Sequence, residues 1–287
     1  MPDARPRCSE PDAARPVARP VPILMYHHVG PVAPPRFEKY SVRPRQLARQ
    51  LAWLKRLGYR GVTLDEMLDG WEHGAVSRAV AITFDDGFRD SFEHAAPVLQ
   101  RFGFTATFFL VSGEMGRVGT WLARRHGVSL AIMGWSDAWS LARAGFGIGA
   151  HSISHPKLGE VDGETLRREL VGARVQIEER VGQPVAHVAY PYGSCTPAVA
   201  DAARSAGYRS GCTTAIGVAR AGHSRWALPR IPVDGRAGTG TFIARLLTGH
   251  TVPELASPHR WWRRLSRPRA PAAAPRHPSG RLGDRTG

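Results

Sequence analysis

Short apolar runs alternate with amphipathic stretches from residue 22 to residue 248, and this alternation leaves the chain few architectures. Runs rich in β-branched and aromatic residues lie at 22–28, 61–64, 80–84, 105–111, 146–150, 185–190, 208–213 and 226–233. Runs of that length, bounded by turn residues, read as buried strands. Between them, apolar residues recur at helical spacing. Leu47, Leu51, Leu54 and Leu57 form one stripe, opened by Ser41 with Pro44 in its first turn and closed by Gly58. Further helical stretches cover 65–70, 136–144 with Ser136 as cap, 162–181, 196–207 and 242–247. The stretch 89–101 is helical in pattern but interrupted by Pro97. Residues 112–134 fit neither period and read as a lid or insertion. Strands alternating with helices predict an α/β fold: a parallel sheet with crossover helices, open or closed into a barrel.

In parallel α/β folds the chemistry sits beyond the C-terminal ends of the strands. The residues that follow each apolar run are therefore the candidates: His27 and His28, Asp85 and Asp86, His151, the stretch Tyr190-Pro191-Tyr192-Gly193, and Arg230 within the last strand. Adjacent carboxylates repel, and a shared proton, a nearby cation or a metal must relieve the repulsion. Gly87 can take unusual backbone angles, so both carboxylates can turn into one cavity. A lone Asp in this place reads as a helix cap. Asp-Asp-Gly after a buried strand reads as a site. His151 and His155 are four residues apart and can reach one ion. With 12 histidines in 287 residues chance supplies about 0.5 such pairs, so position at a strand end matters more than spacing. Two histidines and one carboxylate would leave coordination positions open for water and substrate.

Thr83-Phe84-Asp85-Asp86-Gly87 together with His151-Ser152-x-x-His155 resembles the polysaccharide deacetylases, carbohydrate esterase family 4, with their NodB-type homology domain. Tyr190-Pro191-Tyr192-Gly193 is similar to the family's third motif in its Pro-Tyr-Gly part. The likeness spans residues 22–248. It implies a distorted (β/α) barrel of the polysaccharide deacetylase type with fewer than eight strands. It also implies Asp85 as catalytic base, Asp86, His151 and His155 as ligands of a divalent metal ion, and the Tyr192 backbone N–H as oxyanion donor. Zinc is the first choice of ion, with cobalt or another divalent ion as alternatives. Two departures matter. The family's arginine two residues before the proline is replaced here by Ala189. The C-terminal Leu-x-His motif that supplies the acid histidine has no clear counterpart, since Leu247-Thr248-Gly249-His250 has a different spacing. The start Met25-Tyr26-His27-His28-Val29 resembles instead the branch that deacetylates poly-N-acetylglucosamine, where the motif order is permuted and a first-strand histidine is the acid. His27 is therefore preferred over His250. Arg230 is the candidate replacement for the missing arginine, the alternative being a surface ion pair. Trp121, Trp135 and Trp139 are candidate sugar platforms, set against plain packing. His28, His94 and His126 read as structural or exposed, and Ser194 and Cys195 as finishing a turn.

Composition narrows the rest. Apolar residues make up 43% of the chain, enough for a sizeable core. No apolar run approaches the ~18 residues of a membrane span. Residues 1–20 are rich in Pro, Ala, Arg and acid, without an apolar signal core, and read as a disordered segment. A cytoplasmic location is the expectation. Cys8, Cys195 and Cys212 are odd in number and lack CxxC spacing, so neither a disulfide framework nor a thiolate zinc site is expected. The net charge of +15 suggests nucleic acid, but eight arginines against Asp284 lie in residues 257–287 alone. That Pro/Ala/Arg tail reads as disordered, in weak contact at most with acidic surfaces, and no nucleic-acid partner is expected. The catalytic domain is expected over 21–256. The function so implied is metal-dependent hydrolysis of N-acetyl groups in an acetylated glycan, polymeric or lipid-linked, as in exopolysaccharide biosynthesis. Two alternatives stand beside it: hydrolysis of small linear or cyclic amides, and carbohydrate binding without turnover.

Overall fold

A computed structural model describes residues 19–74 and 77–249. The expectations for residues 1–18, for Cys8 and His250, for the domain end at 256 and for the 257–287 tail lie outside the described residues, as does the His126 side chain. The strands are β1 (Ile23–Tyr26), β2 (His28–Val29), β3 (Ser41–Val42), β4 (Arg60–Val62), β5 (Ala79–Phe84), β6 (Thr107–Leu110), β7 (Gly147–Ala150), β8 (His187–Ala189), β9 (Ser210–Ile216) and β10 (Leu228–Pro232). Seven of them, β1 and β5 to β10, close into a parallel ring. Closure runs through β1, which pairs with β10 (Leu24 opposite Ile231) and with β5 (Leu24 opposite Ile82). β4 pairs with the first half of β5, and β2 with β3 in a separate parallel pair. The expected distorted (β/α) barrel with fewer than eight strands is the fold observed.

The helices are α1 (Pro44–Arg56), α2 (Leu64–His73), α3 (Ala96–Phe102), α4 (Thr120–His126), α5 (Trp135–Arg143), α6 (Gly163–Arg167), α7 (Ala173–Val181), α8 (Pro197–Ser205) and α9 (Thr239–Thr248). Several starts differ from the sequence reading. Ser41 does not open α1: it belongs to β3, and Pro44 takes the first helical position, where its missing N–H costs nothing. α5 is capped by Gly134, whose N–H donates to Asp137 at 2.8 Å, and Ser136 lies inside the helix. The blemish at Pro97 is absorbed by one wide turn, Ser91–Ala95, which places the proline at the start of α3. The region 112–134 holds a turn, α4 and two isolated bridges, Val118 to Ala131 and Phe88 to Ile132.

Two apolar clusters explain why this sequence closes. Strand side chains alternate between faces. Leu24, Val80, Ile82, Phe84, Phe108 and Ile148 face outward and pack with the helices, including Leu47, Leu51 and Leu54 of α1. Ile23, Ala79, Ala81, Phe109, Ala189, Cys212 and Leu228 form the inner cluster, joined by Leu64, Met67 and Leu68 of α2. The inner residues are mostly small. That leaves the barrel room for one long polar side chain.

Candidate active site

β5 shows how the chain builds the site. Its inner row runs through Ala79 and Ala81 to Thr83 and continues to Asp85, while Val80, Ile82 and Phe84 face the helices. By that alternation Asp86 would point outward. Its backbone is left-handed instead (φ 72°), Gly87 follows at φ 70°, and the turn places the Asp86 carboxylate against His151 and His155. Six non-glycine residues among those described have positive φ, and four of them, Asp86, Ser152, His155 and Tyr192, belong to this cluster. Backbone strain gathered in one place is a mark of a functional site.

Arg230 is the long polar side chain inside the barrel. β10 shifts register on β9, with Leu228 opposite Cys212 but Arg230 opposite Ile216. Such irregularities re-aim side chains. Arg230 is 0% exposed, so it is no surface ion pair. Its guanidinium donates to both oxygens of Asp85 at 2.7 Å, to the Thr83 hydroxyl at 3.1 Å and to the Thr213 carbonyl at 2.9 Å. Burial opposes ionisation of Asp85, but Arg230 and then His151 outweigh it and hold the carboxyl below its ordinary value. Asp85 is thereby kept as a carboxylate.

The Asp86 Oδ1 atom lies 3.4 Å from His151 Nε2 and 3.2 Å from His155 Nε2. These donor atoms lie within 4.8 Å of one another. The chemistry of the set can be tested against a cation. His151 Nδ1 sits 2.7 Å from the Ala189 carbonyl, which only accepts, so the ring proton belongs on Nδ1. In the neutral ring the Nε2 lone pair then faces a carboxylate oxygen. Two electron-rich atoms at that distance repel unless a proton or a cation lies between them. Burial opposes the charge on Asp86, yet its contacts with His151 and His155 hold it well below the usual carboxylate range. An ionised carboxylate and two imidazoles suit a divalent ion. A second trio, Asp90, Glu93 and His94, is more open and already engaged, Asp90 with buried His28 at 2.6 Å and Glu93 with Arg89 at 2.8 Å. His28 is thus structural.

The remaining candidates fall round the same mouth. His27 follows β1, packs edge-on against Tyr40 at 5.1 Å, and feels the charges of Asp86, Asp85, Arg230 and His151. Burial pushes its pKa below the ordinary value, against the pull of the two carboxylates. The Tyr192 ring packs on His155 at 4.7 Å, and the Arg125 guanidinium lies over that ring at 4.4 Å. Trp121 stacks on His155 at 4.6 Å and is 8% exposed, so it braces the imidazole. Trp135 and Trp139 lie instead beside Arg180 and Arg143. Ser194 accepts from the Gly159 N–H, and Cys195 lies against the Trp226 carbonyl, so both serve the turn. Burial pushes the Cys212 thiol up to about 12, out of range for a nucleophile.

One contributor was missed in the sequence. Glu169, buried, accepts from Ile153 N (2.8 Å), Ser154 N (2.9 Å) and Ser154 Oγ (2.7 Å), and so ties down the loop between His151 and His155. Its signal was available: with Leu166, Leu170 and Ala173 it lies on the apolar stripe of the 162–181 helix. A carboxylate on a buried stripe needs a partner. Glu169→Ala would orphan two backbone N–H groups, at about 1–3 kcal/mol each. We expect metal affinity, measured by chelator competition, to fall about 10–100-fold. An unchanged affinity would remove Glu169 from the support of the site.

Ionised carboxylates set against imidazoles at the mouth of a (β/α) barrel place the chain among barrel hydrolases. Residues 74–211 match the family model for polysaccharide deacetylase. A putative polysaccharide deacetylase of Bacillus subtilis, YxkH, is 27% identical over 78% of this chain and 76% of its own length. A poly-β-1,6-N-acetyl-D-glucosamine N-deacetylase of Staphylococcus aureus is 35% identical over 28% of each chain. The Streptococcus pyogenes deacetylase PplD, solved in complex with acetate, has the same fold: TM-score 0.69, 22% identity, covering 80% of this chain and 99% of that one. Residues 74–211 thus carry a polysaccharide deacetylase domain. Enzymes of this family are metal dependent, and the Asp86, His151 and His155 trio is a possible place for the ion.

Proposed function

We propose that the chain hydrolyses the acetamide of an N-acetylated glycan, with Asp86, His151 and His155 holding a divalent ion, zinc by preference. The observation that carries the reading is the buried Arg230–Asp85 pair lying beside that trio. A bound divalent ion would lower the pKa of water and polarise the acetyl carbonyl. Every other part falls to side chains and backbone of this protein. Asp85, kept ionised by Arg230, takes the proton from the attacking water. The Tyr192 N–H donates to the oxyanion as the carbonyl becomes tetrahedral. His27 in its protonated form gives a proton to the departing nitrogen as the C–N bond breaks. The products are acetate and a free amine. The partial match to the Staphylococcus aureus enzyme supports an N-acetylglucosamine polymer as substrate class.

The test is acetate release from a panel of acetylated glycans, including poly-β-1,6-N-acetylglucosamine and chito-oligomers, with zinc, cobalt or chelator. Chelation should abolish turnover, and zinc or cobalt should restore it. Added ion at 100-fold its Kd should raise stability by about 2.7 kcal/mol. Turnover that persists after complete chelation, or acetate from none of the glycans, refutes the proposal.

A further inference from the structure

A cavity of about 570 Å³ lies beside the start of α1, lined by Arg43, Arg45, Gln46, Arg49 and Gly235. Its polar side chains are three guanidinium groups and the Gln46 amide, with no carboxylate among them. Arg43, Arg45 and Arg49 are exposed, and among the described residues none of the three pairs with an acid. The nearby carboxylate of Asp234 is held by Arg236 at 2.9 Å and does not neutralise them.

The opposite wall is fixed. Gly235 donates to the Lys39 carbonyl at 2.9 Å, and Gln46 Nε2 donates to the Ala237 carbonyl at 2.9 Å. A Cβ at Gly235 would fall 1.8 Å from the Ser41 carbonyl oxygen, so the two walls meet as closely as backbone allows. The cavity therefore does not depend on a loose loop.

Its place on the barrel is informative. Arg43 lies three residues after Tyr40, whose ring packs on His27, and so within about 11 Å along the chain. Gly235 lies five residues after Arg230, within about 18 Å. β3 (Ser41–Val42) pairs with β2 (His28–Val29), which follows His27 directly. Both walls thus adjoin the segments that carry His27 and Arg230, at the C-terminal end of the barrel. Guanidinium groups bind phosphate in a planar, bidentate manner. Arg43 and Arg45 at the positive end of a 13-residue helix, with Arg49 one turn further on, balance a diphosphate better than a single carboxylate.

We propose that this cavity binds a phosphate group, best a diphosphate, carried by the acetylated sugar substrate, so that phosphorylated or lipid-diphosphate-linked sugars are preferred over neutral ones. This rests on the deacetylase reading for its kinetic arm, and a binding arm stands apart from it. Inorganic pyrophosphate is titrated calorimetrically into the wild-type chain and into Arg45→Gln/Arg49→Gln. Binding to the wild type, weakened at least tenfold in the variant and falling with salt, is the expected result. Acetate release is then compared on a neutral acetylated oligosaccharide, on the same oligosaccharide bearing a 1-diphosphate, and on its lipid-linked form. The variant should raise KM for both diphosphate substrates about tenfold, leave kcat unchanged and leave the neutral substrate untouched. Equal KM for the neutral and the soluble diphosphate substrate, or pyrophosphate binding that ignores the arginines, overturns the proposal. A preference seen only with the lipid-linked form also overturns it and assigns the effect to the lipid. Acetate release from no substrate, with arginine-dependent pyrophosphate binding intact, overturns the deacetylase reading and leaves the anion site standing.

Discussion

Asp85→Asn is expected to lower kcat for acetate release by about 10²–10⁴-fold, the range of a lost general base, with metal content unchanged. The substitution keeps size and one acceptor oxygen, so Arg230 retains a hydrogen-bond partner. It removes the carboxylate beside the trio that does not itself face the two imidazoles. Asp86 is placed differently: its Oδ1 faces both imidazoles at 3.4 and 3.2 Å. Metal stoichiometry by mass spectrometry and turnover on an acetylated glycan separate the two carboxylates. Asp86→Asn should lose the ion, and Asp85→Asn should keep it. Full turnover in Asp85→Asn would place the base elsewhere.

Arg230→Met should destabilise the metal-free fold by about 3–5 kcal/mol, the cost of stripping one partner from a buried ion pair. Asp85 would be left without its counter-ion inside the barrel. The double variant Asp85→Asn/Arg230→Met should recover a large part of the loss, because two neutral groups tolerate burial. The effect has a pH window. The folded pKa of Asp85 is depressed from its ordinary 3.8, so the pair stabilises fully above 3.8 and its contribution is lost as pH falls through the lower folded value. Urea denaturation at pH 7 and pH 3 should therefore show the gap between wild type and Arg230→Met closing on acidification. A gap that is the same at both pH values would mean the arginine acts through packing alone.

The barrel and the positions of Asp85 and His151 could be read from the chain because they follow simple rules. Strand runs alternate with helical stripes, and Asp85 continues the inner row of Ala79, Ala81 and Thr83. Asp86 breaks the rule through its own left-handed backbone, whereas the sequence points only to the glycine after it for the turn. Arg230 is suggested by its place in the last strand and by the gap at Ala189, but its burial depends on a register shift that no local pattern announces. β2 and β3 are two residues each, too short to leave a period, so in the sequence Ser41 reads as a cap. Glu169 was hidden in a charged helix, although its neighbours Leu166 and Leu170 marked it as inward. Trp121 carried no cue that its flat face is spent on His155.

Ala79, Ala81 and Ala189 lie on the inner wall of the barrel beside larger side chains such as Phe109, and Arg230 is buried in the same interior. One side chain thus serves both as the plug of the cylinder and as the clamp on Asp85. A descendant that gave up turnover could not simply shed this arginine, since its centre would collapse or flood. Silent members of such a lineage should therefore keep the clamp long after the ion has gone, unless the alanines grow to replace it.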